Sequence, residues 1–253
     1  MECLILIPAR SGSSRVRNKN IRKFGDKPLV AHVVISAVQA RIGRVVVSTN
    51  SHEIASVSNR YGAETPFLRP DDLSGDTAPS VWVILHALSW FKDKDGWSPE
   101  IVAFCPPTNP FTRPHTIRSM VERLSDAPEV NSNVTITLPQ THPFRIVRLS
   151  DEGRLEIGIV EIDGRTTLDI ERTQDWPEVW EGSPACRMTR ARYFEQILDD
   201  HPAVCTATGK TYDNNSCIGY EVDRIESFDI DDESSWRIGE TMLRSRSEHI
   251  AEE

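Results

Sequence analysis

The chain has 253 residues, 38% of them hydrophobic and 26% charged, which is enough for one large α/β domain with its own core and excludes a peptide-sized scaffold. Its 38 acidic and 29 basic residues give a net charge of -9, so a general affinity for nucleic acid or an anionic membrane is disfavoured, and any anion must be met locally. The longest uncharged apolar stretch, Thr77 to Phe91, has 15 residues and a proline, short of the roughly 20 that a membrane helix needs.

In chain order, Leu4 to Ile7 is a short continuous apolar run, the pattern of a strand buried on both faces. Pro28 opens a helix to Ala40, and Arg44 to Ser48 reads as a second buried strand. Ser51 is placed to cap a helix from His52 to Tyr61, with Gly62 as its stop. A helix over Ser80 to Trp90, a strand at Ile101 to Phe104, a helix over His115 to Leu124 and a β-branched strand at Asn133 to Leu138 follow. Such alternation implies a parallel sheet with covering helices, an α/β architecture.

From Pro143 to about Trp180 the alternation breaks. Ile146 to Leu149, a turn at Asp151 to Gly153, Leu155 to Ile162 and a turn at Asp163-Gly164 read as hairpin strands of a protruding arm or as a surface meander. Afterwards a helix at Ala191 to Leu198, a strand near Ile218 to Val222, a short strand at Phe228 to Asp231 and a terminal helix from Ser235 to about His249 complete the chain. No internal repeat, low-complexity tract or interdomain linker is evident. The five cysteines, Cys3, Cys105, Cys186, Cys205 and Cys217, are odd in number and widely spaced, and they read as reduced packing thiols. The acid at Glu2 and the brevity of Leu4 to Ile7 fit no signal peptide, so a cytoplasmic location is expected.

Two segments carry the chemistry. Directly after the first strand, Arg10 to Lys23 holds six basic residues and no acid in 14 positions. An even spread would place about 1.6 there. Ser11, Gly12, Ser13 and Ser14 let backbone N–H groups approach phosphate oxygens, while Arg10, Arg15, Arg17 and Lys19 supply charge. The position is where open α/β sheets bind ligands. Neither G-x-G-x-x-G nor G-x-x-x-x-G-K-[ST] occurs, which weighs against a dinucleotide-binding dehydrogenase and a P-loop NTPase. The alternative is a solvated basic loop.

The second segment is Phe228-Asp229-Ile230-Asp231-Asp232. Residues at i and i+2 of an extended chain share a face, so Asp229 and Asp231 project together while Ile230 turns to the core. Paired carboxylates suit magnesium, which takes further ligands from phosphates and water; acids beside Ser234 and Ser235 also serve as helix-start signals. Together the two segments supply what nucleotidyl transfer requires, cations for a triphosphate and a metal site.

The run Ile7-Pro8-Ala9-Arg10-Ser11-Gly12-Ser13 followed by Lys19-Asn20-Ile21 resembles the opening of the CMP-sugar synthetases, the acylneuraminate cytidylyltransferase group. The likeness continues through Gly25 to Leu29, Val46 to Ser51, Gly62 to Glu64, Phe67 to Pro70, Asp76-Thr77, Pro107 to Pro110 and Asp229 to Asp231. The resemblance implies a Rossmann-like nucleotide-diphospho-sugar transferase fold, residues 1–253 as a single domain, and a homodimer joined through a hairpin arm at residues 143–180. It also implies transfer of CMP from CTP to an acidic 2-keto sugar with loss of pyrophosphate.

Carried over on the same basis, Arg10, Ser11, Gly12, Ser13, Lys19 and Asn20 would bind the nucleotide. Arg69 and Ser80 would line the cytosine pocket. Asp229 and Asp231 would hold Mg2+, and catalysis would rest on Arg10, Lys19, Asp229 and Asp231. Thr108, Arg172 and Arg187 would meet the acceptor. The chain departs from the family at Pro106, where a glutamine is usual, and at Glu181 to Ala185, where relatives carry an arginine-proline-asparagine-glycine-alanine stretch. Arg187, Arg190 and Arg192 offer either an acid-binding cluster or an exposed helix start. An acceptor other than sialic acid is thus compatible with the sequence: another nonulosonate, an octulosonate or a phosphonate. A nucleotide-binding regulatory protein without catalysis is the rival from another class.

Overall fold

Leu4 to Ile7 lie at the centre of strand β1, Cys3–Pro8, whose first five residues are buried. Its side chains alternate between two layers. Cys3, Ile5 and Ile7 pack against Val33 and Val34 of helix α1, Leu29–Ala40, and against Ile117 and Met120 of a later helix. Leu4 and Leu6 pack on the other face against Ile84, Leu85 and Phe91. This continuous apolar run is what a strand covered on both sides requires. The computed structural model describes residues 2–13, 15–200 and 211–251. Ser14 and Cys205, both named above, lie outside the described residues.

The remaining main elements are β2 Gly43–Ser48, α2 His52–Arg60, α3 Ser80–Trp90, β3 Ile101–Phe104, α4 Pro114–Asp126, β4 Ser132–Thr137, β5 Glu181–Arg190, α5 Ala191–Asp200, β6 Cys217–Glu221 and α6 Glu233–Ala251. Ser51 Oγ accepts from the Ile54 N–H at 3.4 Å, and Gly62, at φ +98°, ends the α2 turn. The six strands pair in the order β6-β4-β5-β3-β1-β2. The β1–β2, β1–β3 and β4–β6 pairings are parallel, whereas β5 runs antiparallel to both β3 and β4. The sheet is therefore mixed, mostly parallel, between two helical layers. No described helix is long and apolar enough to cross a membrane.

β5 carries no strand signal, because Gly182 and Pro184 break its pattern. The structure accommodates them in a bulge: Ile136 opposes Gly182, while Val134 opposes Arg187. Thr135 Oγ1 fills the gap, donating to the Ser183 or Cys186 carbonyl, each at 3.0 Å, and accepting from the Cys186 N–H at 3.1 Å. Across the β3–β5 boundary, Cys105 and Cys186 are free and buried, with their sulfurs 3.5 Å apart.

The arm is less regular than its alternation suggests. Only Arg148–Leu149 pairs with Leu155–Glu156, followed by a single bridge between Ile162 and Arg165. A two-stranded ribbon has no second layer to bury its apolar face and is marginal alone. Leu149, Leu155 and Leu168 remain 65%, 66% and 66% exposed. The expected strand at Phe228 to Asp231 forms no ladder; loop contacts hold that segment instead.

Candidate active site

A third, smaller apolar cluster brings the two ends of the chain together. Val16, Phe24 and Leu29 meet Phe111, Ile230 and Trp236, with Phe24 edge-on to Trp236 at 5.4 Å and to Phe111 at 6.0 Å. Val16 stands between Arg15 and Arg17, and Ile230 stands between Asp229 and Asp231. Both aliphatic side chains are fully buried. Their charged neighbours cannot follow them into an apolar interior, so they stay at its rim. Burying Val16 and Ile230 in one cluster therefore sets the basic turn against the carboxylates.

Contacts across this boundary are direct. Lys19 Nζ donates to the Ile230 carbonyl at 2.9 Å, and Arg15 Nη1 lies 3.1 Å from Asp231 Oδ1. The β3–α4 loop supports the carboxylate segment from the other side. The Thr108 carbonyl accepts from the Ile230 N–H at 2.8 Å, Asn109 Nδ2 donates to the Phe228 carbonyl at 3.1 Å, and Thr108 hydrogen-bonds the Asp229 carboxylate. Asp232 takes the helix-start role: its Oδ1 accepts from the Ser235 N–H at 2.7 Å, while Ser235 Oγ accepts from the Asp231 and Asp232 N–H groups at 2.9 Å. The acidic run thus divides, with Asp232 capping α6 and the other two acids facing the turn.

Arg10, Ser13, Arg15, Val16, Lys19 and Asn20 line a cavity of about 500 Å³ with Pro8, Asp76 and Pro106 to Thr108. Asn20 ties the turn to itself by donating from Nδ2 to the Arg10 carbonyl at 2.8 Å. Ser11 donates from its N–H and Oγ to Asn50 Oδ1 at 2.9 and 3.1 Å. Gly12, at φ +74° with no atom within 4 Å of an added Cβ, makes the bend that opens this loop. Arg10 is ion-paired with Asp76, a lining residue for which sequence reasoning gave no role.

Burial shifts the charged groups against their charged forms. It pushes the Lys19 ammonium below its ordinary value, opposed by Asp229 and Asp231. It pushes Asp229 up, opposed by the Thr108 hydrogen bond and reinforced by Asp231. Asp229 Oδ1 is buried and lacks a hydrogen-bond partner. An orphaned carboxylate oxygen beside a second carboxylate fits a divalent cation, and oxygen donors are the hard ligands magnesium takes. Among the described residues no group of three or more metal-ligating side chains occurs, so the remaining ligands would come from substrate and water.

Arg69 is 5% exposed and donates from Nε to Ser74 Oγ at 3.2 Å, while its Nη2 has no partner. Burial, with Arg10 adding to it, lowers its pKa to about 10. Ser80 is the first residue of α3, beyond the loop that carries Asp76. Neither Arg69 nor Ser80 lines the cavity. The acceptor candidates are dispersed. Thr108 is in the cavity, but Arg172 lies on the arm beside Asp175 at 3.6 Å, and Arg187 lies on β5 over the Tyr212 ring at 6.0 Å. Arg190 caps the C-terminus of α4, donating to the Leu124, Ala127 and Val130 carbonyls at 2.6, 3.2 and 2.8 Å. Arg192 donates to Asn131 Oδ1 and the Pro128 carbonyl.

A family model described as cytidylyltransferase matches residues 4–152. That stretch holds the basic turn, Arg69 and Thr108, and it ends before Asp229 and Asp231. Over 123 residues the chain is 42% identical to CMP-N,N'-diacetyllegionaminic acid synthase of Legionella pneumophila, covering 48% of this chain and 53% of that protein. It is 34% identical over 150 residues to N-acylneuraminate cytidylyltransferase of Escherichia coli O18:K1:H7, covering 59% of this chain and 34% of that protein. The chain thus spans about half or less of the length of these relatives. The fold is that of CMP:2-keto-3-deoxy-manno-octonic acid synthetase, solved with CTP, at a TM-score of 0.66 and 14% identity over 97% of this chain and 100% of that one.

Proposed function

The chain belongs to the cytidylyltransferase family, and from that premise we propose that it transfers CMP from CTP to the hydroxyl of an acidic 2-keto sugar, a nonulosonate or a related acid, with release of pyrophosphate. One observation carries the reading: the basic turn after β1, which lines the cavity, is in direct contact with the aspartate segment before α6, through Lys19 on the Ile230 carbonyl and Arg15 on Asp231, although neither aspartate is itself part of the cavity lining. Named relatives that activate acidic sugars as CMP derivatives point the same way.

The acceptor oxygen attacks the α-phosphorus in line. A new P–O bond forms as the bond to the bridging oxygen breaks, the acceptor hydroxyl gives its proton to water, and pyrophosphate leaves. Arg10, Arg15 and Lys19 neutralise the charge that moves onto the leaving group, and the half-buried position of Lys19 strengthens its pull by lowering the local dielectric. Asn20 holds the turn in shape, and the backbone around Gly12 and Ser13 offers N–H groups to phosphate oxygens. Arg69, buried with an unpartnered Nη2, would offer that donor to the base, and Ser80 a hydroxyl, although both stand outside the cavity lining. Asp229 and Asp231 would hold Mg2+, which supplies Lewis-acid polarisation of the α-phosphate. Thr108 fixes the Asp229 carboxylate and faces the acceptor side of the cavity. Arg172 and Arg187 stand outside the cavity lining, so their acceptor role would require the arm of a second copy or a shift on binding.

The rest of the reading has the chain act as one domain, as a homodimer in the cytoplasm. The arm supports the dimer, since Ile146, Val147, Leu149, Leu155 and Leu168 form an exposed apolar surface that a second copy would cover. The test is turnover with each of the four ribonucleoside triphosphates, magnesium and a panel of 2-keto sugar acids and phosphonates, read by product mass and pyrophosphate release. A CMP-sugar from CTP alone is expected. Tight CTP binding with no product across the panel, or product only with a phosphonate, would refute the assignment.

A further inference from the structure

Among the described residues Glu226 is the one buried carboxylate, at 1% exposure, three positions before Asp229. Its Oε1 accepts from the Arg113 N–H at 2.9 Å, and its Oε2 lies 3.6 Å from Arg113 Nη1. Arg113 immediately precedes α4, so the carboxylate sits at the helix N-terminus, where exposed N–H groups favour negative charge. Asp223 completes the clamp. Its Oδ1 accepts from the Glu226 N–H at 2.8 Å, and its Oδ2 pairs with Arg113 Nη2. Bonds from the Ser227 N–H to the Asp223 carbonyl at 3.0 Å and from the Phe228 N–H to the Ile225 carbonyl at 3.2 Å close the turn that leads into Asp229.

We propose that Glu226 is a positioning residue, which locks this turn onto the start of α4 through Arg113 and so holds Asp229 and Asp231 against the basic turn. A buried ion pair is weak evidence for stability, since apolar replacements of similar volume are often as stable. What a buried carboxylate on two fixed donors does supply is a single orientation. α4 is anchored in the main core through Ile117, Met120 and Leu124, so the clamp refers the carboxylate segment to a rigid body. Thr108 and Asn109, in the loop leading into the same helix, hold the next residues of that segment. The inference deepens the proposed metal-dependent reaction and rests on it for its effect on turnover.

The test uses the full-length Glu226→Gln and Glu226→Leu variants, with the glutamine variant deciding if the leucine variant fails to fold. Hydrogen exchange at the Ile230 amide is expected to rise at least tenfold, with amides of β1 and α1 unchanged. Mn2+ affinity in the presence of CTP should fall at least tenfold, while CTP binding without metal stays within twofold. The kcat should drop with little change in KM for CTP. Ile230 exchange within twofold of the parent, or faster exchange with unaltered Mn2+ affinity, overturns the proposal. So does an equal loss of metal-free CTP binding, which marks a general structural role. If the parent takes up no Mn2+ with CTP, the metal reading itself fails, and the Ile230 exchange then decides the positioning claim alone.

Discussion

Replacing Ile230 by alanine tests the arrangement of the whole site, because this side chain anchors the carboxylate segment in the third apolar cluster. Its side chain is fully buried, so the change removes three buried carbon groups at about 0.8 kcal/mol each. Adding the cost of the void left among Val16, Phe24, Phe111 and Trp236 gives about 3 to 4 kcal/mol, inside the range for such truncations. For a chain of this length that corresponds to a Tm lower by roughly 10 °C. Stability alone is not decisive, so Leu124→Ala serves as control: Leu124 is equally buried, but in the main core on α4. At a temperature where both variants are folded, Ile230→Ala is expected to lose turnover by about 10²-fold, the scale of one lost preorganised contact, with Leu124→Ala within twofold of the parent. Thermal unfolding followed by pyrophosphate-release kinetics reads both quantities. A Tm within 2 °C of the parent, or equal turnover in the two variants, would refute the idea that this small cluster aims the aspartates.

Lys19→Ala and Asp231→Asn should each lose on the order of 10² to 10³ in turnover with circular dichroism spectra like the parent's; near-parent rates in either would remove that residue from the mechanism. Asp229→Asn should abolish turnover without lowering Tm at neutral pH, since burial raises this carboxyl and disfavours its charged form. A raised folded-state pKa favours folding below the unfolded value, about 3.9, and that contribution is lost as pH rises through the folded value. The variant's advantage in Tm should therefore shrink as pH is lowered from 7 towards 4, and an advantage that grows instead contradicts this account. Arg190→Ala should cost about 2 kcal/mol in denaturant unfolding, because it leaves α4 carbonyls unpaired, with turnover intact; acceptor KM rising instead would return Arg190 to the substrate site. On the proposed pairing the parent should sediment as a dimer and Leu155→Glu as a monomer; a parent that sediments as a monomer, or a variant that stays a dimer, would show that the arm's apolar surface is not a dimer contact.

Local pattern alone was enough for much of this protein. Continuous apolar runs at Leu4 to Ile7 and Ile101 to Phe104 read as two-sided strands because burial on both faces leaves no polar alternation, and Ser51 and Gly62 bounded α2 because capping is a short-range interaction. The basic turn at Arg10 to Lys23 was visible as an excess of charge in a chain that is acidic overall, and the alternation Asp229-Ile230-Asp231 already separated core from surface. Tertiary structure decided the rest. β5 is the central antiparallel strand although Gly182 and Pro184 argue against one locally, because its pairing partners β3 and β4 and the Thr135 hydroxyl supply contacts that no window of sequence contains. Arg190 and Arg192 became props for the end of α4 for the same reason. That Val16 and Ile230 share one apolar cluster, and that Glu226 reaches the start of α4, are facts of long-range packing. Local propensity has no information about which distant side chain will fill the same space, and it is that shared space which sets the basic loop against the pair of acids.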